Sequence, residues 1–202
     1  PAVNRRDWML SDGTSHPLDV ASGTVNALAA TLYILALPGS TYMYQGEELG
    51  LHEVTDIPGN QIQDPQYLRN NKIDKGRDGC RVPLPWTSSG SSYGFGSGGA
   101  HLPQPEWFSG YSVEVEEKNS QSPLSIYRKA LALRRELATE EKITWHETTD
   151  VSVLHFSRPN GWHCITNFRG HGYAMPQGKI LVASRALVDG KIAAGTTVWF
   201  KE

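Results

Sequence analysis

Apolar side chains at Val25, Leu28, Ala29, Leu32, Leu35 and Ala36 recur at helical spacing with a wide apolar stripe, which predicts a helix over 20–37. Asp19 or Ser22 is placed to cap its start, and Pro38-Gly39 stops it. Thr41-Tyr42-Met43-Tyr44 is β-branched and aromatic and predicts a short buried strand. A second amphipathic helix is predicted over 123–138. Pro123 follows Ser122 at its first turn, Leu124, Ile126, Tyr127, Ala130, Leu131, Leu133 and Leu137 form its apolar side, and Arg128, Lys129, Arg134 and Arg135 face out. After residue 143 the period changes to two. Val151–Phe156 and Trp162–Phe168 read as a hairpin around Pro159-Asn160-Gly161, with further strands at Lys179–Ser184 and Thr196–Phe200.

Between these regions, residues 46–123 form one long connection rich in Gly, Ser, Pro and Asn. Trp86, Tyr93, Phe95, Trp107, Phe108 and Tyr111 run through it, too many aromatics for a disordered linker, so the connection is expected to be folded and functional, with short helices such as one near Asp64–Asn70.

The formal net charge of -2 over 202 residues argues against nucleic acid as a partner. No apolar run approaches the roughly 18 residues of a membrane span. Pro1–Asp7 carries no apolar signal core, and Cys80 and Cys164 show no metal-ligand spacing, so the protein is expected to be cytoplasmic with two free thiols. The chain opens without Met on a polar stretch, so it is expected to be part of something longer.

The candidate chemistry is concentrated in two stretches. Glu47 and Glu48 follow the predicted strand, at the edge where α/β architectures build sites; capping of loop amides or pairing with an arginine is the structural alternative. Asp7, Asp56 and Asp78 are the other carboxylates with a placement suited to acid–base work. Arg77, Asp78 and Arg81 form a charged set in a Gly-flanked loop, able to fork onto sugar hydroxyls or to make loop ion pairs. Trp86 follows two prolines and reads as a stacking platform or a buried indole. His16, His52, His101, His146, His155, His163 and His171 lack the local spacings of metal sites and read as non-ligands. No cofactor or metal is expected.

Two motifs bring a family into view. Leu37-Pro38-Gly39-x-x-Tyr42-x-Tyr44-Gln45-Gly46-Glu47-Glu48-Leu49-Gly50 and Arg77-Asp78-x-x-Arg81-x-Pro83-x-x-Trp86 occur in order, followed by Leu102-Pro103-Gln104-Pro105 and the Tyr127-Arg128-x-x-Leu131-x-Leu133-Arg134 helix. From about residue 21 onward the chain resembles the C-terminal part of the α-amylase superfamily (glycoside hydrolase family 13), in its α-glucosidase and oligo-1,6-glucosidase branch. The resemblance implies the last part of a (β/α)8 TIM barrel over 1–140 and a small antiparallel, β-sandwich-like domain over 141–202. It implies retaining hydrolysis of α-glucosidic bonds in maltose-like oligosaccharides, which needs two carboxyl groups about 5 Å apart. By the same resemblance those carboxyl groups lie on strands that precede this stretch, so the chain holds no catalytic residue and is expected to be inactive alone. Arg81 carries over as the residue that grips glucose, without its early-loop aspartate partner. Arg77, Asp78 and Trp86 shape the same substrate-binding loop, and Glu47 and Glu48 support the pocket edge. Gly79-Cys80 departs from the commoner pattern. A carbohydrate-binding or interaction module is the alternative, and uncovered barrel faces are expected to drive self-association.

Overall fold

The computed structural model describes residues 18–202; Asp7 and His16 lie outside the described residues. In chain order the helices are α1 (Val20–Ala36), α2 (Pro65–Arg69), α3 (Val113–Glu116) and α4 (Pro123–Leu137). The strands are β1 (Thr144–His146), β2 (Val153–Arg158), β3 (Trp162–Asn167), β4 (Tyr173–Ala174), β5 (Lys179–Ala183), β6 (Lys191–Ile192) and β7 (Thr196–Lys201). They fall into two compact units: a loop unit over Leu51–Lys118, and a helix–sheet unit combining Ala21–Gly50 with Asn119–Glu202.

In the helix–sheet unit, β1, β2, β3, β7 and β5 lie side by side in that order, with every neighbouring pair antiparallel. The β2–β3 hairpin closes through Asn160 and Gly161, both at positive φ (67° and 68°), as the Asn-Gly pair allows. One face of the sheet packs Phe156, Trp162, Cys164, Val182 and Trp199 against Leu28, Leu32 and Leu35 of α1 and Ile126, Tyr127 and Ala130 of α4. The other face gathers Val153, Ile165, Ile192, Val198 and Phe200. β3 is therefore buried along its whole length.

Polar side chains fix α1 onto this sheet. Thr197 Oγ1 donates to Ala29 O (2.7 Å) and Trp199 Nε1 donates to Leu32 O (2.9 Å). Arg158 Nη1 donates to Ala36 O (2.8 Å), and Arg134 Nη1 donates to Leu35 O and to Leu37 O (3.0 Å). Two guanidiniums thus satisfy carbonyls that the end of a helix leaves open. α4 starts as its sequence predicts: Ser122 Oγ accepts from Ser125 N (3.2 Å), and Pro123 occupies the first turn.

Two expectations are corrected. Thr41–Tyr44 forms no strand, and Tyr42 is 95% exposed. A parallel barrel strand needs a ladder partner on each side, and among the described residues no strand pairs with this segment. Arg134 does not face out; its long stem lets the guanidinium turn back onto the α1 carbonyls. The short edge strand β1 and the β4–β6 ribbon were not expected at all.

The loop unit has its own core of Val54, Ile57, Val82, Leu102 and Phe108, bordered by Leu51, Ile62, Tyr93 and Trp107. The His52 and Trp107 rings stack at 3.9 Å between centroids. The long connection is therefore folded around apolar side chains, as its aromatic content predicts.

Candidate functional site

The site begins at an Asp-Pro step. Asp64 sits at the N-cap of α2, where Pro65 fills the first turn, and Asp64 Oδ1 accepts from Gln66 N (2.9 Å). Its other oxygen, Oδ2, accepts from Arg77 N (2.8 Å) and from Arg81 Nη1 (3.1 Å). These bonds hold the Asp64 carboxyl below the usual carboxylate range: the Gln66 and Arg77 amides contribute most, and the Arg81 charge adds to them.

Asp78 lies one turn before Arg81, in the helical turn Asp78–Cys80, and is buried. Asp78 Oδ2 accepts from Gln63 N (2.5 Å) and Asp64 N (2.8 Å), while Oδ1 faces Arg81 Nη1 at 3.6 Å. The two carboxylates thus tie the 63–66 backbone to the 77–81 loop and aim one guanidinium. Two glycines permit this closeness. A Cβ on Gly76 (φ 73°) would collide with the Asp64 carboxyl, and one on Gly79 would collide with Val54 O, next to the Val54 N to Gly79 O bond (3.0 Å). Gly79, the departure from the commoner motif, is therefore required by the close approach of Val54. The Arg81 side chain remains 43% exposed.

Trp86 is half-exposed, and its backbone is held on both sides: Trp86 N donates to Tyr93 O (2.8 Å) and Glu114 N donates to Trp86 O (3.0 Å). Glu114 braces the following turn, accepting from Ser88 N (3.0 Å) and Ser88 Oγ (2.9 Å), which hold its carboxyl down to about 2 with help from Lys118. The indole is thus presented from a fixed backbone. Arg77 is exposed, and its backbone amide serves the Asp64 carboxylate.

Glu47 and Glu48 belong to the helix–sheet unit. They form a single helical turn, Glu47–Leu49, against which α4 packs. Glu48 Oε2 accepts from Gly46 N (2.8 Å) and Glu47 is exposed. The nearby Tyr127 hydroxyl bonds Thr31 Oγ1 (2.8 Å), and burial pushes it up.

The structure thus brings Asp78, Arg81 and the Arg77 backbone together around Asp64. Arg81 pairs with Asp64 and Asp78, which are distinct from the early-loop aspartate that the resemblance implies. Asp64 was missed among the candidate site residues, although the Asp-Pro step is a legible cap signal. His146, His155 and His163 also converge on one face of the sheet. Local histidine spacing cannot reveal them, because their neighbourhood is set by strand register.

Comparison with known proteins agrees with the motifs. The model of the family described as "Alpha amylase, catalytic domain" matches residues 19–142. The chain is 35% identical over 130 residues to a "Probable alpha-glucosidase" of Rhizobium meliloti (strain 1021), covering 63% of this chain and 23% of that protein. It is 30% identical over 131 residues to a "Probable oligo-1,6-glucosidase 2" of Bacillus subtilis (strain 168), covering 55% and 22%. Among solved structures, the alpha-glucosyl transfer enzyme XgtA superposes with a TM-score of 0.67 at 28% identity, covering 94% of this chain and 37% of that one. The chain spans about a quarter of the length of the curated relatives it matches.

Proposed function

The chain belongs to the alpha-amylase catalytic-domain family, and from that premise we propose that it is the C-terminal part of a retaining α-glucosidase acting on maltose-like oligosaccharides. Residues 1–140 are the closing part of a (β/α)8 barrel, and residues 141–202 are the C-terminal β domain. The observation that carries this reading is the Arg81 guanidinium. Asp64 and Asp78 hold it, both carboxylates are themselves tied to backbone amides, and the side chain stays partly exposed. Such a fork is fixed before a ligand arrives, so little side-chain entropy is lost when it donates to sugar hydroxyls. The proposal gives Arg81 the grip on the glucose unit, Trp86 a stacking face, and Asp64, Arg77 and Asp78 the positioning of that grip.

The exposed run Tyr42, Met43 and Tyr44 supports the barrel assignment. Apolar side chains there need cover, which neighbouring barrel strands would supply in the parent enzyme and self-association would supply in this chain. On this reading Glu47 and Glu48 are framework, and the catalytic carboxylates lie on other barrel strands. The 202-residue chain is therefore expected to leave a chromogenic α-glucoside and maltose intact; turnover that co-purifies with the chain through successive columns contradicts the proposal.

A second reading, a carbohydrate-binding module without catalysis, is favoured by the half-exposed Trp86 on its anchored backbone. It predicts a saturable change in tryptophan fluorescence with maltose that is lost in Trp86→Phe. A flat titration removes it.

A further inference from the structure

β1, β2 and β3 carry three histidines on one face. His146 pairs with His155 across β1 and β2, while His155 and His163 sit diagonally across β2 and β3, opposite Ile165 and Ser157 respectively. The rings lie 4.5–5.3 Å apart between centroids. His155 Nε2 and His163 Nδ1 are 3.1 Å apart, and one ligand-type nitrogen from each of the three falls within 4.8 Å of the others. It is the one such cluster among the described residues.

We propose that His146, His155 and His163 form a binding site for a divalent zinc-like cation that pins the edge strand β1 to the centre of the sheet. Three imidazoles are a donor set suited to zinc, copper or nickel. Nitrogens about 2.0–2.1 Å from a tetrahedral zinc are about 3.3 Å from one another, so the His155–His163 spacing already fits, and His146 closes on them by rotating its side chain. The cation takes the place of the proton shared by His155 and His163.

The two outer rings, His146 and His163, have further contacts. His163 directs Nδ1 at His155 (3.1 Å), and its Nε2 lies on the side of Glu202 Oε1, 3.6 Å away. His146 Nε2 is bonded to Ser157 Oγ (2.8 Å), a contact that changes when the side chain rotates onto the cation. Phe200 stacks on His163 at 4.9 Å and closes one side of the site. β1 has only three residues and a single neighbour in the five-stranded sheet, so a tie to its centre would hold it in place.

The test uses the whole 202-residue chain, stripped with EDTA and titrated at pH 7.5 with zinc chloride by calorimetry and with cobalt(II) by visible absorption. The expected result is one equivalent bound, tetrahedral-type cobalt bands displaced by zinc, and a higher Tm with zinc. His146→Ala, on the edge strand, is expected to weaken binding by more than about tenfold while its Tm in EDTA stays close to that of the parent chain. His155→Asn, as a second variant, is expected to show the same loss, and His101→Ala, in the loop unit, is expected to bind as the parent does. The proposal is overturned if the parent chain binds no stoichiometric zinc, or if folded His146→Ala and His155→Asn bind it as tightly as the parent.

Discussion

Arg81 Nη1 lies 3.1 Å from Asp64 Oδ2, and Asp64 is also the cap of α2 and the acceptor of the Arg77 amide. One carboxylate therefore couples the geometry of the Arg77–Arg81 loop to the start of a helix thirteen residues before Arg77.

Asp64→Ala removes all three bonds. A lost N-cap costs about 1 kcal/mol, and a partly exposed ion pair adds about 0.2–1 kcal/mol, so a local loss of about 1–2 kcal/mol is expected. Hydrogen exchange should show it as faster exchange of the Gln66 and Arg77 amides.

The same carboxyl carries a pH dependence. It is held below its ordinary value, so the folded loop favours the charged form. Its contribution is fully present above the unfolded aspartate value of about 3.9 and is lost as pH falls through the lower folded value. Protection of the Gln66 amide should therefore fall below about pH 4, and the Asp64→Ala protein should lack this component.

Thr197→Val tests the clamp between α1 and β7. The change is nearly isosteric but removes the bond to Ala29 O and the 2.8 Å bond between Thr197 Oγ1 and Thr166 Oγ1, all buried. Ala29 O keeps its bond within the helix, but the buried Thr166 hydroxyl loses a partner, which costs about 1–3 kcal/mol, to be read as a lower midpoint in urea denaturation with an unchanged m-value.

The two long helices, the short one at Pro65–Arg69 and the central hairpin were legible because their signals are local. Ser122-Pro123 precedes an amphipathic run and starts a helix, and Asn160-Gly161 closes a hairpin whose register follows from the turn. Thr41–Tyr44 failed as a strand because strand formation depends on ladder partners, and none of the described strands pairs with it, however favourable its residues. Arg134 was misread because helical periodicity gives the direction of its Cα–Cβ bond and not the reach of its guanidinium. Arg81 and Trp86 were picked out by motif, but Asp64, which holds Arg81, lies outside that motif. The three histidines are far apart in period and close only in register.

Cys164 is buried between Phe156 and Trp199 in register, and burial pushes its thiol up. It should resist a thiol reagent in the folded chain, with Cys80 labelled first and Cys164 only after denaturant is added. Labelling of both at equal rates in buffer contradicts the packing of the sheet against α1.

The proposed role of Arg81 is tested most directly in the parent enzyme encoded by the reading frame that contains this sequence, assayed on maltose beside its Arg81→Ala variant. The account predicts an active α-glucosidase whose kcat/KM falls about a hundredfold, equivalent to about 2.7 kcal/mol of lost binding to the reacting sugar, with the fold and the Gln66 amide protection retained. A parent without α-glucosidase activity, or an Arg81→Ala enzyme as active as the unaltered one, contradicts it.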